Sequence, residues 1–263
     1  MLAHRFYRSA RRVVAVTRGI ADGLVELGVP REKVVFVPNG VDDWMLEAGE
    51  IRATPVIDPL RIVYCGAHGR WNGLGQILDA AGQLVDESVE FVFVGDGDEK
   101  QALEDRARAE GLGNIRFQPA VPKREAFDEI RQAAASIVVT WNHPFQKMVL
   151  ANKIFDYLAA GRPVIVAAEG EMAELVREAD CGIVVPPEQP GQLADAIRRL
   201  AEITSEQRDE MGRRGRTYIL ERYQRRDLAW RLLGVFAELT GLDQDARTSG
   251  GSKLSLVEGA GDE

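Results

Sequence analysis

The chain has 263 residues, 45% of them apolar, which is enough to bury a substantial core as one large domain or two small ones. A net charge of -8 and a sequence pI near 5.2 exclude general nucleic-acid binding, which draws most of its affinity from a basic surface. Only Cys65 and Cys181 occur, far apart and each beside an expected strand, so neither a disulfide framework nor a zinc site is supported and reducing cytosol is the expected compartment.

No apolar run reaches the roughly 18 residues of a spanning helix, and the N-terminus lacks the apolar core of a signal peptide. The expectation is a soluble, cytoplasmic protein. Its charge is uneven, because Arg5, Arg8, Arg11, Arg12 and Arg18 all precede the first acid, Asp22. The plain reading of that segment is a solvated helix face. The sharper reading is peripheral contact with an anionic membrane at its inner face, or with an acidic partner.

Strand and helix patterns alternate along the chain, which predicts an α/β fold of parallel βαβ units in a doubly wound sheet. A strand at 13–17 is followed by an amphipathic helix at 18–27 and a strand at 34–37. The turn Pro38-Asn39-Gly40-Val41-Asp42 closes this unit. Residues 47–59, interrupted by Pro55 and Pro59, read as a linker.

A new unit opens with a strand at 61–65, the loop Gly66-Ala67-His68-Gly69-Arg70-Trp71-Asn72-Gly73 and a helix at 74–85. That loop stands where α/β sheets present backbone amides to ligands, although its glycine spacing is not the dinucleotide fingerprint. The strand at 91–94 exits through Gly95-Asp96-Gly97-Asp98 into a helix ending near residue 110, and the acid pair reads as turn and helix cap rather than metal ligands. A strand at 114–117, a loop at 118–122, a helix at 123–134 and a strand at 136–140 follow. The exit 141–147 is polar and aromatic, with Trp141 and His143 read as loop packing rather than catalysis.

The stretch 152–166 reads as a helix, a tight turn and a buried strand. Ile154, Tyr157 and Leu158 share one helical stripe, Gly161 and Pro163 end the helix, and Val164, Ile165 and Val166 form a β-branched run. Asn152 and Asp156 lie one turn apart, with Lys153 beside them. A helix start bearing an amide and an ammonium, then a carboxylate, suits a ligand with anionic phosphates and a ribose diol. Further on come a helix at 170–179, a strand at 182–185, helices at 189–203 and 206–222, an amphipathic helix at 225–239, and a Gly-, Ser- and acid-rich tail expected to be disordered.

Together, Val37-Pro38-Asn39-Gly40-Val41-Asp42, Val94-Gly95-Asp96-Gly97, residues 114–121 and residues 153–165 resemble the C-terminal half of family 4 glycosyltransferases of the GT-B fold. The resemblance covers about 10–239. It is strongest to bacterial enzymes whose Lys-x-x-Glu-Tyr element serves the addition of sugars to surface polysaccharide or lipid-linked precursors. It implies a remnant of the acceptor domain and interdomain connection at 1–46, the linker at 47–59, and a Rossmann-like nucleotide-sugar domain at 60–222. A crossover helix at 223–240 and the tail at 241–263 complete the division. The implied activity is that of a retaining hexosyl- or N-acetylhexosaminyl-transferase using a nucleoside-diphosphate sugar, with no cofactor and no metal.

By position, Asp156 stands where the family's second motif glutamate holds the ribose hydroxyls. Asn152 and Lys153 fall to the diphosphate, Gly66 to Gly73 to the diphosphate loop, and Ala120-Val121-Pro122 to the nucleobase. The implied donor-binding set is Gly66, His68, Gly69, Val121, Lys147, Asn152, Lys153 and Asp156. No catalytic residue is assigned. The chain departs from the pattern at Ala67, Asn72 and Met148, where the family has a basic residue, a lysine and its first motif glutamate; His68, Arg70 or Lys147 are the side chains that would compensate.

Plainer readings stand beside these. His68 is equally a structural residue of a glycine loop, and Asp156 a helix-surface acid paired with Lys153. Because the resemblance leaves only one strand-helix unit of the acceptor domain, a non-catalytic nucleotide-sugar-binding subunit completed in trans by an N-terminal half is the first rival, with self-association through the exposed edge as a further expectation. A sugar-nucleotide epimerase of similar fold is the second, and it needs acid-base groups in the cleft.

Overall fold

The computed structural model describes residues 2–47 and 58–241. Most of the expected linker, 47–59, and all but the first residue of the expected tail, 241–263, lie outside the described residues.

The first unit comprises α1 (Leu2–Ser9), β1 (Val13–Ala15), α2 (Arg18–Glu26), β2 (Val34–Phe36) and α3 (Asp43–Glu47). β1 and β2 pair in parallel from Val13 opposite Val34 to Ala15 opposite Phe36, over a small core of Ala15, Ala21, Leu24 and Val29. The first strand stops short of the expected residue 17 because Thr17 caps α2. Its hydroxyl accepts the Ile20 amide at 3.0 Å and donates to the Met148 carbonyl at 2.7 Å.

The second unit runs β3 (Leu60–Cys65), α4 (Gly75–Gly82), β4 (Val89–Val94), α5 (Lys100–Ala109), β5 (Ile115–Gln118), α6 (Lys123–Gln132) and β6 (Ala135–Val139). It continues with α7 (Pro144–Lys147), α8 (Asn152–Ala159), β7 (Val164–Ala167), α9 (Glu171–Glu178), β8 (Gly182–Val185) and α10 (Pro190–Glu202), then α11 (Ser205–Arg222) and α12 (Arg225–Thr240). Its strands form one parallel sheet in the order β5-β4-β3-β6-β7-β8. This is the doubly wound α/β arrangement expected from the sequence. The order reverses between β3 and β6, and the crevice outside the C-terminal ends of those two strands is where such sheets take ligands.

Alternation along the strands builds both faces of the core. Val63, Cys65, Val92, Val94, Val138 and Val166 pack against α6, α8, α9 and α11. Ile62, Tyr64, Phe91, Phe93, Ile137 and Ile165 pack against α4, α5 and α10. Continuous apolar strands of this kind are what burial on both faces demands.

Several elements differ from expectation for local reasons. α4 is shorter than 74–85 because the chain leaves it through successive tight turns, with the Leu84 amide on Ala81 and the Glu87 amide on Leu84. The short helices α3 and α7 carry too few turns to show a period. Of the acid pair, Asp96 makes the expected turn by accepting the Gly97 amide at 2.8 Å. The capping half of that expectation is corrected: Glu99 is the N-cap of α5, and no side chain caps that helix end by a hydrogen bond. The turn is held from below by Lys100, whose ammonium donates to the carbonyls of Gly95 and Gln118, each at 2.9 Å.

The two units meet along two seams. At one, α2 lies on Met148, so close that a Cβ added to Gly19 would sit 2.9 Å from the Met148 Cα. The free amides of Arg18 and Gly19 at the α2 N-terminus take one Glu171 carboxylate oxygen at 2.8 and 3.2 Å. At the other, α12 returns to the first unit, where Arg11 donates to the Leu239 carbonyl at 2.8 Å and Arg12 pairs with Glu238. The chain crossings are themselves joined: the Val41 amide donates to Tyr223 at 2.8 Å and the Arg225 amide to Val41 at 3.0 Å.

Candidate functional site

Beyond Cys65 the β3 backbone continues beside the exit of β4. The Gly66 amide donates to Val94 at 2.9 Å, the His68 amide to Asp96 at 2.8 Å, and the Glu99 amide to His68 at 2.9 Å. The two exits run so close that a Cβ added to Gly95 (φ +148°) would lie 2.0 Å from the Gly66 carbonyl oxygen, a contact that only glycine escapes. Across the switch point, Tyr157 of α8 is fully buried, and its hydroxyl accepts the Cys65 amide at 2.8 Å while donating to the Cys65 carbonyl at 2.9 Å. This pair of bonds fixes α8 against the end of β3.

Lys153, at the second position of α8, reaches under that loop. Its ammonium donates to the Tyr64 hydroxyl at 2.6 Å and to Asn72 Oδ1 at 2.9 Å, and lies 4.3 Å from the Tyr64 ring centroid. The Tyr64 hydroxyl and the Asn72 amide then both donate to the Ala67 carbonyl, at 2.8 and 2.9 Å. Ala67 and Asn72, two of the positions where the sequence departs from the resembled family, thus form the bed on which Lys153 is held. Burial lowers the Lys153 pKa to about 8, because the charged ammonium is poorly solvated there.

One turn on, Asp156 does not pair with Lys153, as the plainer reading had it. Its carboxylate lies 3.3 Å from the Lys123 ammonium at the start of α6. Burial raises the Asp156 pKa above the ordinary carboxylate value, against the opposing pull of Lys123. Lys123 is 2.8 Å from Asp42, which also pairs with Arg225. Burial works to raise the Asp42 pKa, but its two cations together bring it below the usual value.

A cavity of about 330 Å³ opens between these groups, lined by Gly66, Ala67, Gly95, Val121, Lys123 and Asp156 with an apolar wall that includes Met45 and Phe127. That is the size range of small-ligand sites. Of the implied donor-binding set, Gly66, Val121 and Asp156 line it. Lys153 lies behind Gly66, its Cε 3.2 Å from where a Gly66 Cβ would be. Asn152 is exposed at the first turn of α8, which has neither an acid in it nor a side-chain cap.

The others stand apart from the cavity wall. His68 is fully buried, its ring within about 6 Å of those of Tyr64, Phe93 and Phe117, and neither ring nitrogen is hydrogen-bonded. Burial, reinforced by the Lys100 charge, holds its pKa down to about 4, so it is a neutral ring in an aromatic cluster. Gly69 precedes a single 3-10 turn at Arg70–Asn72. Lys147 ends α7 and pairs with Glu169 at 2.5 Å. Trp141 donates to the Arg70 carbonyl at 2.5 Å and His143 caps α7 by accepting the Phe145 amide at 3.1 Å, so both serve the loop as expected. Among the described residues no cluster of three or more His, Cys, Asp or Glu side chains is placed to hold a metal ion.

Sequence reasoning missed Lys123, Asp42 and Arg225 as neighbours of the cavity. No periodicity links residues 42, 123, 156 and 225, because their meeting is a product of the tertiary fold.

Residues 59–202 match the family model for glycosyl transferases group 1, and residues 1–44 match that for glycosyltransferase family 4. The chain belongs to the glycosyl transferases group 1 family. Among curated relatives it is 28% identical over 216 residues to a putative colanic acid biosynthesis glycosyl transferase, WcaI, of Escherichia coli, covering 75% of this chain and 52% of that protein. It is 30% identical over 212 residues to D-inositol 3-phosphate glycosyltransferase 1 of Catenulispora acidiphila, covering 74% and 50%. The chain therefore spans about half the length of the curated relatives it matches. Among solved structures, sucrose-phosphate synthase of Thermosynechococcus elongatus superposes with a TM-score of 0.76 at 19% identity, over 92% of this chain and 62% of that one. Anabaena HepE in complex with UDP and glucose superposes with a TM-score of 0.74 at 16% identity, over 90% and 66%. At these identities the superpositions establish the fold alone: the six-stranded unit is a Rossmann-like α/β domain of the GT-B type.

Proposed function

We propose that the chain is the donor-binding half of a retaining glycosyltransferase, taking a nucleoside-diphosphate sugar in the crevice between β3 and β6. The observation that carries the reading is the pairing, one helical turn apart, of Lys153 beneath Gly66 and Asp156 on the cavity wall. The diphosphate meets the uncapped first turn of α8, Asn152 and the Lys153 ammonium, while Asp156 accepts the ribose hydroxyls and the 120–122 loop carries the base. Negative charge developing on the leaving diphosphate is met by the same helix end and ammonium, which leaves that role to fixed dipoles and one lysine rather than a divalent ion. WcaI, by its name, belongs to colanic acid biosynthesis, which favours a polysaccharide or lipid-linked acceptor.

A second reading, a nucleotide-sugar-binding subunit completed by an N-terminal half in trans, is favoured by apolar surface on the first unit and on α12. Val14 and Val16 are each about 40% exposed, and Trp230, Leu233 and Phe236 on α12 about 50%. Transfer needs donor and acceptor held together, which can supply roughly 7 to 11 kcal/mol of the barrier. In this reading the acceptor side comes from a second chain.

Calorimetric titration with UDP, GDP, their sugar conjugates and inorganic diphosphate tests the donor assignment. Asp156→Ala should weaken nucleoside diphosphate by about 1.5 to 3 kcal/mol and leave inorganic diphosphate nearly unchanged. Binding should persist in EDTA. Equal losses for both ligands would remove Asp156 from the ribose, and restoration by magnesium after chelation would overturn the metal-free site.

A further inference from the structure

We propose that Lys123 is the positioning residue of the nucleoside subsite, fixing the Asp156 carboxylate in the orientation that accepts the ribose and so setting the preference for a nucleoside diphosphate over bare diphosphate. The inference rests on the donor reading above. It starts from an alternating line of charge, Asp156, Lys123, Asp42 and Arg225, drawn from α8, α6, the turn before α3, and α12.

Lys123 occupies the first position of α6, where the helix dipole and free amides disfavour a cation. The helix gives no reason for a lysine there; the two carboxylates do. Asp156 is only about a quarter exposed, so its charge needs a partner, and the Lys123 ammonium is the cation at its side. An ammonium has three donors and a carboxylate about four acceptor sites, so the contact can fix one Asp156 oxygen while leaving sites on the other for a diol. This matters more for aspartate than for the family's glutamate, because the side chain is one methylene shorter and its carboxylate has fewer ways to reach the ligand.

The far side of the line is anchored to the backbone. Asp42 holds Lys123 at 2.8 Å, Arg225 holds Asp42 and donates to the Gly40 carbonyl at 3.1 Å, and the Val41 and Arg225 amides tie the two chain crossings together. Lys123 is therefore indexed to the point where both crossings meet, and Asp156 is indexed to Lys123.

The test measures UDP, GDP and inorganic diphosphate affinities by calorimetry on the full chain for the unaltered protein, Asp156→Ala, Lys123→Met and Lys123→Arg. Lys123→Met should weaken whichever nucleoside diphosphate binds by about tenfold, change inorganic diphosphate by less than about twofold, and be largely rescued by Lys123→Arg. If Lys123→Met does not fold, Lys123→Gln carries the same comparison. An equal loss for both ligands would show that Lys123 acts as a plain positive charge and overturn the proposal. So would an unchanged ratio in Lys123→Met when Asp156→Ala still abolishes the preference, a result that leaves the donor reading intact. If Asp156→Ala itself leaves the ratio unchanged, the nucleoside reading of the crevice falls, and this inference with it.

Discussion

In the proposed donor site, Lys153 is the ammonium that meets the diphosphate. It is half-buried, bonded to Tyr64 and Asn72, and its pKa is lowered to about 8. In the unfolded chain the same group titrates near 10.5, so burial disfavours its charged form. In the proposed site, a bound diphosphate would reverse that preference and draw a proton onto Lys153. Affinity for nucleoside diphosphate should therefore be flat between about pH 7 and 8 and fall above it, by up to tenfold per pH unit, with proton uptake visible in buffers of different ionisation enthalpy. Lys153→Met should bind weakly with a flat profile. A profile in the unaltered protein that stays flat to pH 9.5 would mean that this ammonium does not meet the ligand's charge.

The helix-turn-strand from α8 to β7 was fully legible in the sequence, because a stripe at 154, 157 and 158, a glycine stop and a β-branched run each state their own geometry. The loop after β3 was legible in place but not in direction. Glycine spacing marks close approach, yet nothing in Gly66 to Gly73 says that the backbone stays bonded to the exit of β4 and turns His68 into the aromatic cluster below. The Lys123 pairs were invisible for a different reason: Asp42 lies 81 residues away, and charge has no periodicity to announce a long-range partner. Gly95 carries the element-scale prediction. Gly95→Ala places a methyl 2.0 Å from the Gly66 carbonyl at φ +148°, so the exits of β3 and β4 must part. A loss of about 2 to 4 kcal/mol in denaturant stability, with weaker nucleotide binding in whatever folds, is expected. An alanine variant with unaltered stability would mean that the exits are not locked together.

At the scale of the whole molecule, a six-stranded unit meets a two-stranded one. The six-stranded unit has helices on both faces of its sheet, whereas the first unit has a two-stranded sheet with an unpaired edge on each strand among the described residues. With Val14, Val16, Trp230, Leu233 and Phe236 exposed, the chain should self-associate at micromolar concentration. Light scattering across a concentration series checks this, and Trp230→Glu with Leu233→Glu should shift the chain toward monomer. A monodisperse monomer of the unaltered chain would count against both self-association and assembly in trans. Among the described residues no helix is long and apolar enough to cross a membrane.

A crystal structure of the chain soaked with UDP or GDP reads the location of the ligand directly. The predicted result is density for the diphosphate at Gly66, Ala67 and the first turn of α8, with the ribose hydroxyls on Asp156 and the base against Val121. Nucleotide density elsewhere, as in the groove that Gly75 and Asp79 of α4 and Leu103 and Arg106 of α5 line, or an empty crevice at a concentration that saturates binding in solution, would contradict it.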